Sequence, residues 1–214
     1  MEELRQQLQN PDLGNRIRGI LALRPLAPEE AIPLLELVLG DPSARVRYSA
    51  VSMLGQKPTP QTRVLLTEAL FHDPEFDVRA QAAASLGDLG DPEAFEDLAQ
   101  AYREDPQELV RFSVVAALGE LGDPRAFDIL TDALSQGGLQ EEAAIMALGQ
   151  LPLPQVVPAL IPYLTHPEWQ LRLRAVQALG TIGSTESLAA LQGLHDENPH
   201  VAQCIALFND GATA

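Results

Sequence analysis

Apolar and polar positions along this chain follow the 3.6-residue period of α-helices, in paired segments that recur. In EAFEDLAQAYRED the apolar Phe95, Leu98 and Tyr102 fall at i, i+3 and i+7, one stripe of an amphipathic helix. After Asp105-Pro106, the stretch QELVRFSVVAALGELG distributes Leu109, Phe112, Val115, Ala116 and Leu118 around a second helix, which predicts burial on much of its circumference. Asp suits the cap of that second helix, Pro its first turn, and the closing glycine a left-handed end. Alanines such as Ala82, Ala83, Ala84, Ala116 and Ala117 permit close helix approach. Strand-type alternation is absent.

The pairs repeat. A glycine closing an A-L-G, S-L-G or M-L-G motif stands at Gly55, Gly87, Gly119, Gly149 and Gly180, in steps of 32, 32, 30 and 31 residues. Asp41-Pro42, Asp73-Pro74 and Asp105-Pro106 recur in phase, and His166-Pro167 and Asn198-Pro199 are read as holding the same place. Helical pairs of this length match the short HEAT-like type, and the W-x2-L-G and T-P-L-H signatures of other helical repeats are missing. The expected fold is therefore all-α: a right-handed α-solenoid, or superhelix, of about six to seven HEAT-like helical hairpins. It is read as one domain without linkers (1–214), with regular units at 29–56, 59–88, 91–120, 123–150 and 153–181. Irregular units at 1–27 and 184–210 would cap its ends. The terminal Gly211-Ala212-Thr213-Ala214 is expected to fray.

Composition narrows the function classes. Acidic residues outnumber basic ones 30 to 14, for a formal net charge of −16 and a pI near 4.5. A phosphate backbone needs a basic stripe, so nucleic acid is not an expected partner. One cysteine excludes an internal disulfide, and there is no CxxC for zinc. Charged residues or proline interrupt every apolar run before 18 residues, so no membrane insertion is expected. MEELRQQLQNPDL lacks the apolar stretch of a secretory signal, which predicts a cytoplasmic protein.

The basic residues are ordered. Thirteen of the 14 are arginine, and eight open second helices: Arg16, Arg18, Arg45, Arg47, Arg79, Arg111, Arg172 and Arg174. Asp41 precedes Arg47 by six residues, as Asp73 precedes Arg79 and Asp105 precedes Arg111. An arginine fork on a loop carboxylate of its own or the adjacent repeat would tie the stack together. The fourth unit breaks the pattern, with Glu141 in the arginine position and Ser135 in the aspartate position; the fifth keeps Arg172 but has His166 in its loop. Arg172 is thus read as lacking its local carboxylate, although Glu141 one layer earlier could substitute, and Trp169, Arg172 and Arg174 become the first-choice ligand or partner site. Trp169 is either an exposed interface anchor or ordinary inter-helix packing, since Phe76 holds the equivalent position. Arg47, Tyr48, Arg79, Arg111 and Phe112 rank behind, with Tyr48 and Phe112 in one column facing either groove or core.

Catalytic chemistry is thinly represented. Cys204 follows His200 by four residues, the spacing of a thiol–imidazole pair, but a small buried cysteine is the plainer reading. There is no phosphate-binding glycine loop, no GxSxG and no His/carboxylate cluster at metal spacing, so no metal is expected and the catalytic residues stay unassigned. Glu29, Glu30, Glu36, Glu93, Glu96, Asp97, Asp128 and Asp132 on the first helices read as a solvated outer face.

In order along the chain, GNRIRGILALRPL, RVRYSAVSMLG, AFEDLAQAY, FSVVAALGELGDPRAF and PEWQLRLRAVQALG resemble the cyanobacterial phycobilisome degradation proteins of HEAT-like repeats, which are related to the E/F-type phycobilin lyase subunits. The resemblance spans about residues 12–182. It implies a protein at phycobilisomes, on the cytoplasmic face of thylakoids, that binds phycobiliproteins (phycocyanin, allophycocyanin) or their bilins during disassembly. Phycocyanobilin would then be a substrate or ligand rather than a resident cofactor, and any chemistry would be lyase-like chromophore detachment. The alternative is a non-catalytic protein-binding scaffold using the concave face. A bilin's two propionates and conjugated plane suit arginines and aromatics, whereas acidic phycobiliproteins would not be steered at long range to so acidic a chain.

Overall fold

The computed structural model describes residues 1–211, so the last three residues of the expected frayed end, Ala212 to Ala214, lie outside the described residues. Among the described residues there are seven helical hairpins and no strand. They divide into two compact units, Met1–Ala117 and Leu118–Ala214, each a stretch of α-solenoid.

The first unit stacks α1 (Glu2–Leu8) and α2 (Leu13–Ala22), then α3 (Pro28–Leu35) and α4 (Ala44–Leu54), then α5 (Pro60–His72) and α6 (Phe76–Leu89). It ends with α7 (Phe95–Glu104) and most of α8 (Glu108–Leu121). Side chains cap the starts of first helices where the sequence offers them: Thr59 accepts from the Thr62 N–H at the head of α5. Pro33 lies inside α3, where its ring removes a backbone donor, and the helix tightens into a 3-10 turn at Glu36–Val38. The core runs between the two helix rows through Ile20, Leu35, Val46, Leu54, Leu66, Val78, Leu86, Leu98 and Val110, all essentially inaccessible. Lys57, the single lysine, is buried under the first hairpin, where its Nζ donates to the backbone oxygens of Arg24 (2.7 Å) and Leu26 (2.5 Å).

The second unit holds the end of α8, α9 (Phe127–Gln136) with α10 (Gly138–Leu148), α11 (Val156–Leu160) with α12 (Trp169–Ile182), and α13 (Thr185–Leu191) with α14 (Pro199–Gly211). α11 is short for the reason α3 is. Pro158 lies inside it and Pro162 follows, and the chain continues as a 3-10 turn over Ile161–Thr165.

Two expectations about helix ends need correction. The loop aspartates are not N-caps: Asp73 Oδ1 accepts from the Glu75 N–H (2.9 Å), so it folds the turn two residues ahead while Glu75 takes the cap position. Nor do the motif glycines supply left-handed ends. Gly55 and Gly149 have φ of −55° and −59°, and the left-handed residues are the second glycines of G-x-x-G, Gly90, Gly122 and Gly183. The motif glycines serve close approach instead. A Cβ at Gly55 would stand 2.9 Å from Ser85 Cβ, one at Gly119 would stand 2.6 Å from Ala147 Cα, and one at Gly149 would stand 2.8 Å from Ala178 Cβ. Each small residue met there is itself two positions before the next motif glycine, so the A-x-G pattern is the contact between successive second helices.

α10 departs from the other second helices. Gln140 sits where they place Val46, Val78, Val110 and Leu171, is only 5% exposed, and its Oε1 has no hydrogen-bond partner among the described residues. A buried amide oxygen without a partner costs about 1–3 kcal/mol. Gln140→Val is therefore expected to raise the denaturation midpoint of the protein, which a urea melt would read; a lowered midpoint would contradict this account.

Candidate functional site

The arginines opening the second helices build a regular device. Each donates Nη1 to the backbone oxygen of the residue six positions earlier in its own loop: Arg47 to Asp41 (2.8 Å), Arg79 to Asp73 (2.9 Å), Arg111 to Asp105 (2.8 Å) and Arg172 to His166 (2.9 Å). The opposite edge of the guanidinium reaches the carboxylate of the following hairpin. Arg16 Nε lies 2.7 Å from Asp41, Arg47 Nε and Nη2 lie 2.7 and 2.9 Å from Asp73, and Arg79 Nε lies 2.7 Å from Asp105. One fork thus ties two layers, with the acid side chains at 7–8% exposure.

Charge and burial act against each other on these acids. Burial pushes the Asp73 carboxyl up, but the hydrogen bond from Arg47 and the Glu75 N–H outweigh it and hold the group below the usual carboxylate range. At Asp196 the hydrogen bond from Arg172 leads, and the group is again lowered.

That last pair overturns the reason for preferring Arg172. Its Nε and Nη2 lie 2.5 and 2.9 Å from the two carboxylate oxygens of Asp196, so Arg172 is a completed rung. The register reading that hid this was the placement of Asn198-Pro199 in the loop column. The residue with the column's geometry is Asp196, which accepts from the Asn198 N–H at 2.8 Å as Asp73 does from Glu75. The partner of each arginine is also one layer further on than the six-residue spacing suggests. Asp105 serves Arg79, and Arg111 donates Nη1 to the Asp105 backbone oxygen.

The other predicted residues fall as follows. Trp169 is half-buried, its ring 5.7 Å from that of His200 and tilted by 31°. Arg174, partly exposed, bonds Glu142 (2.8 Å) and Gln177 (3.1 Å). Tyr48 is 42% exposed on α4 and Phe112 is half-buried on α8. Two exposed neighbours on second helices were not singled out as site residues, Phe76 on α6 and Leu109 on α8, each 39% exposed. Helical periodicity placed Leu109 in the core; its position at the helix's first turn, ahead of the inter-helix contact, is what leaves it outside.

The Glu141 position is occupied differently. Tyr163 donates its hydroxyl to the Leu134 backbone oxygen (3.4 Å), and burial, followed by the Glu141 charge, raises its phenol. The Tyr163 ring stacks on His166 at 5.8 Å. Cys204 is a free, partly buried thiol pushed up by that burial, the opposite of an activated nucleophile. No group of His, Cys and carboxylate able to hold a metal occurs among the described residues, and no helix there is long and apolar enough to cross a membrane.

A family model described as HEAT repeats matches residues 1–72, 63–141 and 140–207. The chain belongs to the HEAT repeats. No curated protein sequence matches it. Among solved structures this HEAT-repeat chain is similar to the complex of CpcE and CpcF of phycocyanin lyase from Nostoc sp. PCC7120, at 24% identity over 98% of this chain and 93% of that one, with a TM-score of 0.62. It is also similar to the Escherichia coli protein YibA, at 16% identity over 97% and 92% with a TM-score of 0.61. Kap121p matches 85% of this chain with 23% of its own, at 13% identity and a TM-score of 0.66. At these identities the likeness is one of fold, and it supports the α-solenoid reading of the HEAT repeats.

Proposed function

We propose that this HEAT-repeat chain is a docking protein for phycobiliproteins in phycobilisome disassembly, and that it grips its partner with the exposed apolar side chains of its second helices. The carrying observation is that Tyr48, Phe76 and Leu109 are each about two-fifths exposed in the first unit, while Arg47 and Arg79 beside them are spent on internal carboxylates. Exposed aromatics of this sort are the usual anchors of protein interfaces. The choice of phycobiliprotein is supported by the ordered sequence stretches over residues 12–182 and by the shared fold with the CpcE and CpcF structure. Mixing the protein with chromophorylated phycocyanin and following bilin absorbance through size exclusion tests this. Co-elution is expected, with Tyr48→Ala weakening binding about tenfold or more and leaving the melting temperature in place. Separate elution of the two proteins would end the proposal.

A reading without bilin chemistry is favoured within this proposal by the rungs. Two propionates arriving at Arg47, Arg79 or Arg172 would have to displace Asp73, Asp105 or Asp196. Titrating free phycocyanobilin separates the readings. An unchanged pigment spectrum supports docking alone, and a shifted, saturating one supports lyase-like handling.

A further inference from the structure

Within the first unit, the loop edges of successive hairpins form the same cleft twice, and the two copies differ. Between the second and third hairpins it has a volume of about 430 Å³ and is walled by Leu39, Pro42, Val51, Leu65, Ala69 and Pro74. Between the third and fourth hairpins it has about 280 Å³. Two exchanges along the 32-residue period separate them. Phe71 lines the smaller cleft where Leu39 lines the larger, and Asp97 stands where the period puts Leu65. An aromatic ring thus fills in one layer what is left open and apolar in the other. Wall atoms facing an unfilled space forgo dispersion contacts that an added group would supply.

The charges around the larger cleft are uneven. Arg47 lines it, but its fork is bound to Asp73, and Asp41 is bound by Arg16. Glu68 is left over. Its side chain is 72% exposed and is met, among the described residues, only by the His72 imidazole at 3.3 Å. Glu75, next after Pro74, is exposed as well, and its charge acts on Arg47. The mouth therefore offers spare negative charge and no open guanidinium, which favours a cation and rejects a carboxylate or propionate.

We infer that this cleft seats one bulky apolar side chain of the protein partner, with a neighbouring arginine or lysine of that partner on Glu68. The exposed Tyr48 and Phe76 follow the lining residues Arg47 and Pro74 by one and two positions, so the cleft adjoins the apolar contacts of the docking surface. A buried apolar anchor with a polar pair at its rim is the usual build of an interface hot spot.

The identity of the partner rests on the phycobiliprotein reading; the chemistry of the cleft does not, and two measurements keep them apart. The first uses N-acetyl-phenylalanyl-argininamide as the probe and follows the methyl NMR signals of Leu39, Val51 and Leu65. Saturating shifts are expected, with the neutral glutaminamide analogue binding several-fold more weakly and the glycyl-argininamide analogue leaving the methyls in place. Leu39→Phe, which copies the next layer, should abolish the response, and Glu68→Gln should bring the cationic probe down to the neutral one. A cleft that takes the cationic and neutral probes alike, or neither, overturns the inference. The second measurement uses phycocyanin. Leu39→Phe should weaken binding about tenfold with the melting temperature at or above that of wild type. Should that variant melt early, Glu68→Gln decides instead, because its side chain is exposed and its loss should weaken binding several-fold without touching the fold. Undiminished affinity in the deciding variant would overturn the inference. If wild type fails to bind phycocyanin while the cationic probe still saturates the cleft, the docking proposal falls and the cleft's chemistry stands.

Discussion

Arg47→Met is expected to unfold at markedly lower denaturant than wild type, by about 3–5 kcal/mol, the cost of stranding a buried charge. Arg47 is 8% exposed, and among the described residues its fork is the one guanidinium bound to the carboxylate of Asp73, whose side chain is 7% exposed. Methionine keeps the stem and its packing and removes the charge, so the loss belongs to the carboxylate left behind. Arg47→Met combined with Asp73→Asn should regain most of the stability, because the amide oxygen still accepts from the Glu75 N–H and no ion is left buried. A double variant no better than the single one would refute this account. The effect has a defined pH dependence. The Asp73 carboxyl in wild type is held below its ordinary value, so the stability it contributes is present above the unfolded carboxylate pKa of about 3.9 and disappears as pH falls through the lower folded value. In Arg47→Met the same burial acts with the Glu75 N–H kept but the Arg47 fork gone, so the group moves up from its wild-type value. Protonation then relieves the variant, and the gap between variant and wild type narrows toward acid. Arg172→Ala should behave as a rung as well, because Asp196 is equally dependent on it.

Gly119→Ala carries the next largest effect. Its Cβ would stand 2.6 Å from both the Cα and the Cβ of Ala147, a distance at which something must move. No flexible side chain tip is there to give way. The obstacle is backbone, so the end of α8 and α10 would have to separate around Gly119 and Ala147. Overpacking costs about 1–3 kcal/mol where side chains can adjust, and this site lies at or beyond the upper end. Gly149→Ala, at 2.8 Å from Ala178 Cβ, should cost less. Thermal melts of the two variants rank them. Equal and small losses would show that the helices slide apart freely and that glycine is dispensable there.

The hairpin architecture was written in short-range pattern. A 30–32-residue period, an amphipathic first helix and an apolar second one are all local, because each helix must bury its own stripe whatever its neighbour is. The existence of rungs was legible too, since arginines and loop aspartates recur in phase. Which aspartate serves which arginine was not. A column of like pairs looks the same whether each arginine reaches its own loop or the next, and only the stacking of one hairpin on another selects the next, at separations of 24 to 26 residues. That single shift reassigns the partners: Arg172, expected free, is bound to Asp196, and Asp105, expected to serve Arg111, is bound by Arg79. The motif glycines follow the same logic. Their position at helix ends suggested a left-handed turn, a backbone property readable locally. Their actual work is to let Gly119 meet Ala147 and Gly149 meet Ala178, contacts between residues about 30 apart that exist only once the layers are stacked.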